Sequence, residues 1–596
     1  MRKSTSPVAD PTMRNFSPSS TGPGWCSLLC ASVVYGCCIV LFFSPTFGEF
    51  TTALIGPPED NMQDLWNTWY SQLALASDPQ QFLYTRALFF PEGTSLVYHS
   101  FSYVSLIGIF MLRRLLGLSL SLEVLVGLHN LMLLLPYYFG AIGAFILTWK
   151  FTQYFLSSLV GGYIFAFSPF HFAHTLHHMG VSTIQFIPFF VFYTLQYLER
   201  PLVKFYVGSV MFFVLGALSS WYYLVYNTYF LLFCYAYGVL RQRTPLVKAA
   251  LVPVVTILAG AFVLLSPLVI PMLRAGIGNH QVYGGGHDIF VADLVGFVAF
   301  HPYHLLSRAT QWVNAQLTGN PWEASVYLGL VNIGLLAWAV RQWRALQHLP
   351  LAFCVGGMSV FMLLAAGHSL HVLGRSIGYV LLPTAITEWL PFLSNVRAPS
   401  RAMVYAYLFL AVAVGCILKP LSGDREAWDD RGPCQSPRRW VITMALCALL
   451  FVDFYAIARD TTRVTCPSAY EVIRQEGRHP FGILDLPATY AVGNRAMMYQ
   501  ICHQQPIVHA SISRKLSTTL IDRLEFHDLQ RQRQQLLDHG VHYIVVHLEF
   551  LSGEYALNLS PYRQFYRSIY VDQSTIVFAV DAPGEEEKAG KTEAGQ

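Results

Sequence analysis

The chain has 596 residues, 54% apolar and only 12% charged, against roughly 25% charged in an ordinary water-soluble domain, which excludes a wholly soluble protein. Its net charge of +4 is small for that length, and the basic residues fall between apolar runs rather than in one patch. Nucleic acid is therefore excluded as a partner.

Residues 1–23 are Ser-, Pro- and Thr-rich with Arg2, Lys3 and Arg14, the composition of a disordered cytoplasmic tail. The apolar run that starts at Trp25 is too long for a signal peptide, and its exit near Ser44 offers no small-residue cleavage site. Apolar runs recur as far as Tyr455, each near the ~20 residues needed to cross a hydrocarbon core. Basic clusters at Lys150, at Arg200 with Lys204, at Arg241 to Lys248, at Arg341 with Arg344, and at Lys419 to Arg439 mark cytoplasmic loops. An even number of crossings must separate successive clusters, and the runs obey this. They fall at 155–170 with 184–197, 205–218 with 222–240, 249–273 with 324–340, and 350–367 with 402–417. The run at 440–458 then delivers the chain outside. Between the first crossing and Lys150 lie two runs, 101–118 and 124–148, so one of them cannot span. Arg113 and Arg114 interrupt the first, which is assigned as re-entrant or interfacial.

The expected fold is thus mostly α, a polytopic transmembrane helical bundle of about 11 spans over residues 24–458. Its outer segments are a first loop at 48–123, a long loop at 274–322 and a hairpin at 368–401. From 459 to 582 the composition changes to that of an extracytoplasmic α/β domain. Strands are expected at 481–487, 541–547 and 574–580, and a polar helix at 520–539. Residues 583–596 form a charged tail. Of the 11 cysteines only Cys466 and Cys502 could pair outside the membrane, while eight others, Cys26, Cys30, Cys37, Cys38, Cys234, Cys354, Cys416 and Cys447, lie in apolar spans and act as small hydrophobes.

Three groups of residues could carry chemistry. The first outer loop holds Glu59, Asp60 and Asp64, the last two at a spacing that shares one helical face, ahead of Trp66, Trp69 and Tyr70. A carboxylate there could be a general base or a metal ligand. Acids are also common in solvated loops. The second loop carries His171, His174, His177 and His178, of which His171, His174 and His178 would share a face of one helix. They suit a polar cavity wall, interfacial packing or, with less support from neighbouring ligands, a metal. The third group is Arg397 and Arg401, astride Pro399 at the start of an apolar helix. Outer arginines oppose the usual charge bias, and anion binding at a helix N-terminus or snorkelling to headgroups explains them. Glu323, at the mouth of a span, is a further acid. Gly284–His287 with Asp288, and His301 with His304, give weaker signals, as does the glycosylation-like Asn558-Leu-Ser560.

First-loop acids, a Ser168-Pro169 turn in the second loop, a long later loop and an outer C-terminal domain together resemble the GT-C superfamily of polytopic glycosyltransferases. More narrowly, Gln63-Asp-Leu-Trp-Asn-Thr-Trp69, Phe89-Phe-Pro-Glu-Gly-Thr-Ser-Leu96, Phe165-Ala-Phe-Ser-Pro-Phe-His171, Arg397-Ala-Pro-Ser-Arg401 and Leu484-Asp-Leu-Pro487 resemble a bacterial branch of it. The resemblance implies sugar transfer from a polyprenyl-phosphate carrier to an envelope glycan, lipid or protein on the periplasmic face of the inner membrane. It places Asp60 or Asp64 at the acid position. Glu59, His174, His178, Glu323, Arg397 and Arg401 are then expected to bind substrate. Histidines stand where the family often has an acid, so a divalent metal is compatible with the sequence but not required by it. A flippase for a lipid-linked substrate or a non-catalytic envelope scaffold are the rival classes. Acids held in an outer loop, rather than at the bilayer midplane, disfavour transport.

Overall fold

The computed structural model describes residues 22–58, 60–242, 247–277, 288–346, 349–377, 384, 396–422, 437–475, 481–551 and 557–583. Within them the apolar runs are helices. Five are long and apolar enough to cross a membrane: Trp25–Glu49, Leu122–Thr152, Trp221–Leu240, Leu251–Gly276 and Pro399–Leu421. A sixth forms if Phe155–Ala166 and Pro169–Thr175, bent by 43° at Ser168, count as one span. The remaining expected crossings are shorter helices, among them Val203–Ser219, Leu330–Arg341, Leu351–Ala365 and Val441–Phe454. The expectation of about 11 spans is therefore not confirmed: five or six helices among the described residues reach span length. The helix Tyr103–Leu115, assigned above as re-entrant or interfacial, has 13 residues, about 20 Å at 1.5 Å per residue and short of a ~30 Å core. Its Arg113 is buried and donates from Nε to Gln72 Oε1 at 2.9 Å.

Burial orders the bundle. The span Pro399–Leu421 is 94% enclosed by protein, whereas Trp25–Glu49 and Leu251–Gly276 are 28% enclosed and present their apolar faces outward. The enclosed helix carries Arg401 at its first turn, so the centre of the bundle sets the height and direction of that charge. Asp453, near the end of Pro437–Phe454, accepts from Tyr327 Oη at 2.6 Å and from the Val331 amide at 2.9 Å. It caps the N-terminus of Leu330–Arg341, a structural use of an acid close to the membrane.

The C-terminal unit is built on a four-stranded sheet with Gly482–Leu486 at one edge, then Val541–His547, Thr575–Pro583 and Tyr566–Val571. The first pair is parallel and the others antiparallel. The single polar helix expected at 520–539 is instead two, Leu520–Arg523 and Leu529–Asp538. Asp528 caps the second by accepting from the Gln530 and Arg531 amides, which starts a new helix where a continuous one was expected. Cys466 and Cys502 are disulfide-bonded.

This unit is joined to the first outer loop rather than tethered beside it. Ala53–Ile55 pairs antiparallel with Thr461–Arg463, and Leu65, Trp66, Met497 and Ile501 share one hydrophobic core. Trp66 Nε1 donates to Gln500 Oε1 at 2.6 Å and Gln63 Nε2 to the Ser511 carbonyl at 2.6 Å.

Candidate active site

Asp60–Ala76 is a helix, so Asp60 and Asp64 lie one turn apart at its N-terminal end, facing the same cavity. Its position is set by Gly56, whose φ of +113° suits glycine and whose missing Cβ would collide with the Leu176 carbonyl oxygen. Asn61 Nδ2 donates to that same oxygen at 2.6 Å, which locks the acid helix onto the histidine segment. Glu59 lies outside the described residues, as do 284–287 and half of the expected outer hairpin.

The two acids have different surroundings. Asp60 is about one quarter exposed, and its Oδ2 lies 3.0 Å from His178 Nε2 while Oδ1 accepts from Tyr490 Oη at 2.5 Å. Burial raises its proton affinity, but the His178 and Tyr490 contacts and the nearby Arg401 charge outweigh that and hold it at about 2. Asp64 is buried and accepts from the Met179 amide at 2.9 Å and from Asn67 Nδ2 at 3.2 Å. Burial dominates there, helped by the neighbouring Asp60 charge, and lifts Asp64 to about 7. Behind Asn67, its Oδ1 lies 2.7 Å from His99 Nε2, so a neutral, buried imidazole orients the amide that orients Asp64.

The histidines do not share one helical face. Pro169–Thr175 ends before His178, which begins the next short turn. His171 points into the core, 2.5 Å from the Ala166 carbonyl and 2.9 Å from that of Ser182. His174 and His178 remain, joined by Glu323, which follows the long loop: His174 Nε2 is 3.4 Å from Glu323 Oε2. Ligand atoms of these three lie within 4.8 Å of one another. Two imidazoles and a carboxylate suit a divalent transition metal. His174 Nδ1 is buried without a hydrogen bond, which also fits.

A cation already stands there. Arg401 donates to Glu323 Oε1 from Nε at 2.8 Å and from Nη2 at 2.5 Å, and Nη2 is 3.5 Å from His178 Nε2. Ser400 Oγ donates to Glu323 Oε2 at 2.6 Å. Burial would raise the Glu323 carboxyl, but the Arg401 charge holds it well below its ordinary range. The guanidinium also lies over the Tyr222 ring, 4.5 Å from its centroid. Arg401 is thus part of a buried network rather than a free anion receptor.

The cavity has a volume of about 250 Å³. Asp60, Asp64, His178, Arg397 and Arg401 line it, and so do two residues not singled out in the sequence, Tyr490 and Arg514. Both come from the C-terminal unit. Arg514 loses some proton affinity through burial and then through the charge of Arg397, which places two guanidiniums close together. Trp221, Val225 and Met272 give part of the wall apolar surface, beside the polar Gln63, Ser219 and Ser220. Asp288 and His304 make structural contacts instead, Asp288 with Ser369 and His304 with the Val452 carbonyl.

No protein-family model matches the sequence, and no curated protein matches it. Solved structures do: the archaeal oligosaccharyltransferase AglB from Archaeoglobus fulgidus, in complex with an inhibitory peptide and a dolichol-phosphate, superposes with a TM-score of 0.51 at 10% identity, covering 94% of this chain and 74% of that one. The chain has the GT-C fold. Arabinofuranosyltransferase AftD from mycobacteria matches with a TM-score of 0.49 at 15% identity over 96% of this chain and 42% of that one. ArnT from Cupriavidus metallidurans bound to undecaprenyl phosphate gives 0.38 at 12% identity over 93% and 97%. In this fold Asp60, Asp64, His178, Arg397 and Arg401 line one cavity, with His174 and Glu323 behind it in contact with Arg401 and His178.

Proposed function

We propose that this protein is a membrane glycosyltransferase that moves a sugar from a polyprenyl-phosphate carrier to an envelope acceptor on the periplasmic face. One observation carries the reading: carboxylates at Asp60 and Asp64 and guanidiniums at Arg397, Arg401 and Arg514 line one cavity with an apolar wall. A lipid phosphate needs that combination, cations for the headgroup and apolar surface for the chain. The fold shared with a protein solved in complex with a dolichol-phosphate supports it.

The reaction is an inverting displacement. The acceptor hydroxyl oxygen bonds to the sugar C1 as the bond from C1 to the carrier phosphate oxygen breaks, that electron pair leaving with the phosphate. Asp64, with a pKa of about 7, takes the hydroxyl proton. Asp60 stays ionised and holds His178 and Tyr490 in place. Arg397 and Arg514 bind the departing phosphate, and Arg401 adds fixed positive potential from the wall. A divalent ion, when bound, would be held by His174, His178 and Glu323 and would supply Lewis-acid stabilisation of charge.

The test is lipid-linked sugar accumulation, measured by mass spectrometry in cells lacking the protein, with complementation by variants. Asp64→Asn should leave the donor accumulated and slow transfer by about 10²- to 10⁴-fold, the usual contribution of a general base. Transfer at wild-type rate in both Asp60→Asn and Asp64→Asn would refute the mechanism. Movement of the intact lipid across vesicles, without sugar transfer, would establish the transport reading.

A further inference from the structure

A second cavity, of about 410 Å³, lies between the first outer loop and the C-terminal unit, within the ~300–1,000 Å³ range of small-molecule sites. It shares two wall residues, Tyr490 and Ile512, with the first. Tyr490 is 59% exposed although its hydroxyl is fixed on Asp60 at 2.5 Å, so an open aromatic face stands beside the acid pair. The charges on the far wall cancel: Lys515 is paired with Asp522, whose carboxylate also accepts from the Thr519 amide at 2.7 Å. The Lys515 ammonium further lies over the Phe89 ring, 4.8 Å from its centroid. The first cavity has clustered guanidiniums and an apolar wall; the second has matched charge, hydrogen-bonding groups and an exposed ring.

We propose that this second cavity is the acceptor subsite and that it takes a carbohydrate. The inference rests on the transferase reading above, because an inverting displacement requires the nucleophile to approach C1 from the side away from the departing phosphate. The two cavities meet at Tyr490 and Ile512, so a hydroxyl held in the second reaches the acid pair past Tyr490. Matched charges disfavour a phosphorylated headgroup here. A compact volume with one open aromatic ring suits one or two sugar rings stacked on Tyr490 better than an extended peptide, which would need a longer groove or a free strand edge.

Full-length protein in lipid nanodiscs tests this by saturation-transfer NMR with methyl glycosides of glucose, galactose, mannose and arabinose. At least one glycoside should receive saturation, and Ala488→Trp, which fills the cavity from an exposed wall position, should reduce that transfer at least tenfold. Lys515→Gln should weaken it as well without adding bulk, which covers the case in which Ala488→Trp fails to fold. Binding of undecaprenyl phosphate should stay within twofold in both variants and fall at least tenfold in Arg514→Ala. The proposal is overturned if no glycoside binds, if binding is unchanged in both cavity variants, or if a short peptide probe binds there instead. Failure of undecaprenyl phosphate to bind the wild type would refute the donor reading separately, since the glycoside measurement does not depend on it.

Discussion

Asp60 and Asp64 show how far one helical turn separates two identical side chains. Asp60 is held as an anion by His178 and Tyr490, while Asp64 sits deeper and is lifted to about 7. Only the second changes protonation near neutral pH, so the rate should rise with pH to a plateau, with a midpoint near 7 in kcat/KM. Stability should move the other way. A carboxyl whose folded pKa lies above its value of 3.8 binds more protons folded than unfolded, so its contribution favours folding in acid and is lost as pH rises toward 7. Asp64→Asn should flatten both profiles, read by initial rates and by thermal melts across pH 5–8. Arg401 and Glu323 form the other residue-scale test. Removing one partner of a buried pair leaves an uncompensated charge and typically costs about 3–5 kcal/mol. Arg401→Met should therefore lower stability more than the double change Arg401→Met with Glu323→Gln, and equal losses would show that the pair is not coupled. The acids, Glu323 and the arginines were legible because charge is rare in this chain. Their partnership was not, since 78 residues separate Glu323 from Arg401 and no periodicity links them.

At the scale of elements, the site depends on two short helices from opposite ends of the chain. Asp60–Ala76 carries the acids, and Tyr490–His503 packs against it through Trp66 and Gln500 while presenting Tyr490 from its first residue. The disulfide fixes the second helix at its far end, where Cys502 meets Cys466 across a sequence separation of 36. A closed loop of that length stabilises by about 3–4 kcal/mol in the chain-entropy account. Cys466→Ser with Cys502→Ser should lower the melting temperature of the C-terminal unit and weaken transfer through displacement of Tyr490, and reductant should reproduce this in the wild type. Element types were readable where one pattern dominates. The strand expected at 541–547 coincides with Val541–His547, a nearly continuous buried apolar run. Reading failed where local capping overrode pattern, as at Asp528, and where a turn broke a face, as between Thr175 and His178.

For the whole molecule, the sequence separates into a membrane bundle and an outer domain, but the structure gives them a common core and a common site. Composition shifts at the chain's C-terminal part made the division legible. The shared core was not, because Leu65 and Met497 read as ordinary apolar positions until the chain is folded. Truncation after Ala458 therefore does more than remove an accessory unit. It strips apolar cover from Leu65 and Trp66, removes the strand partner of Ala53–Ile55, and takes Tyr490 and Arg514 out of the first cavity. The truncated protein should still insert as a bundle, because the enclosed span is packed by other spans. It should, however, lose both undecaprenyl phosphate binding and sugar transfer. Arg514→Ala in the full chain separates the two causes: it leaves the shared core intact and should weaken phosphate binding at least tenfold. If the truncated bundle transfers sugar at the wild-type rate, the cavity walls supplied by the C-terminal unit have no part in the reaction, and the acids and the remaining two arginines must suffice alone.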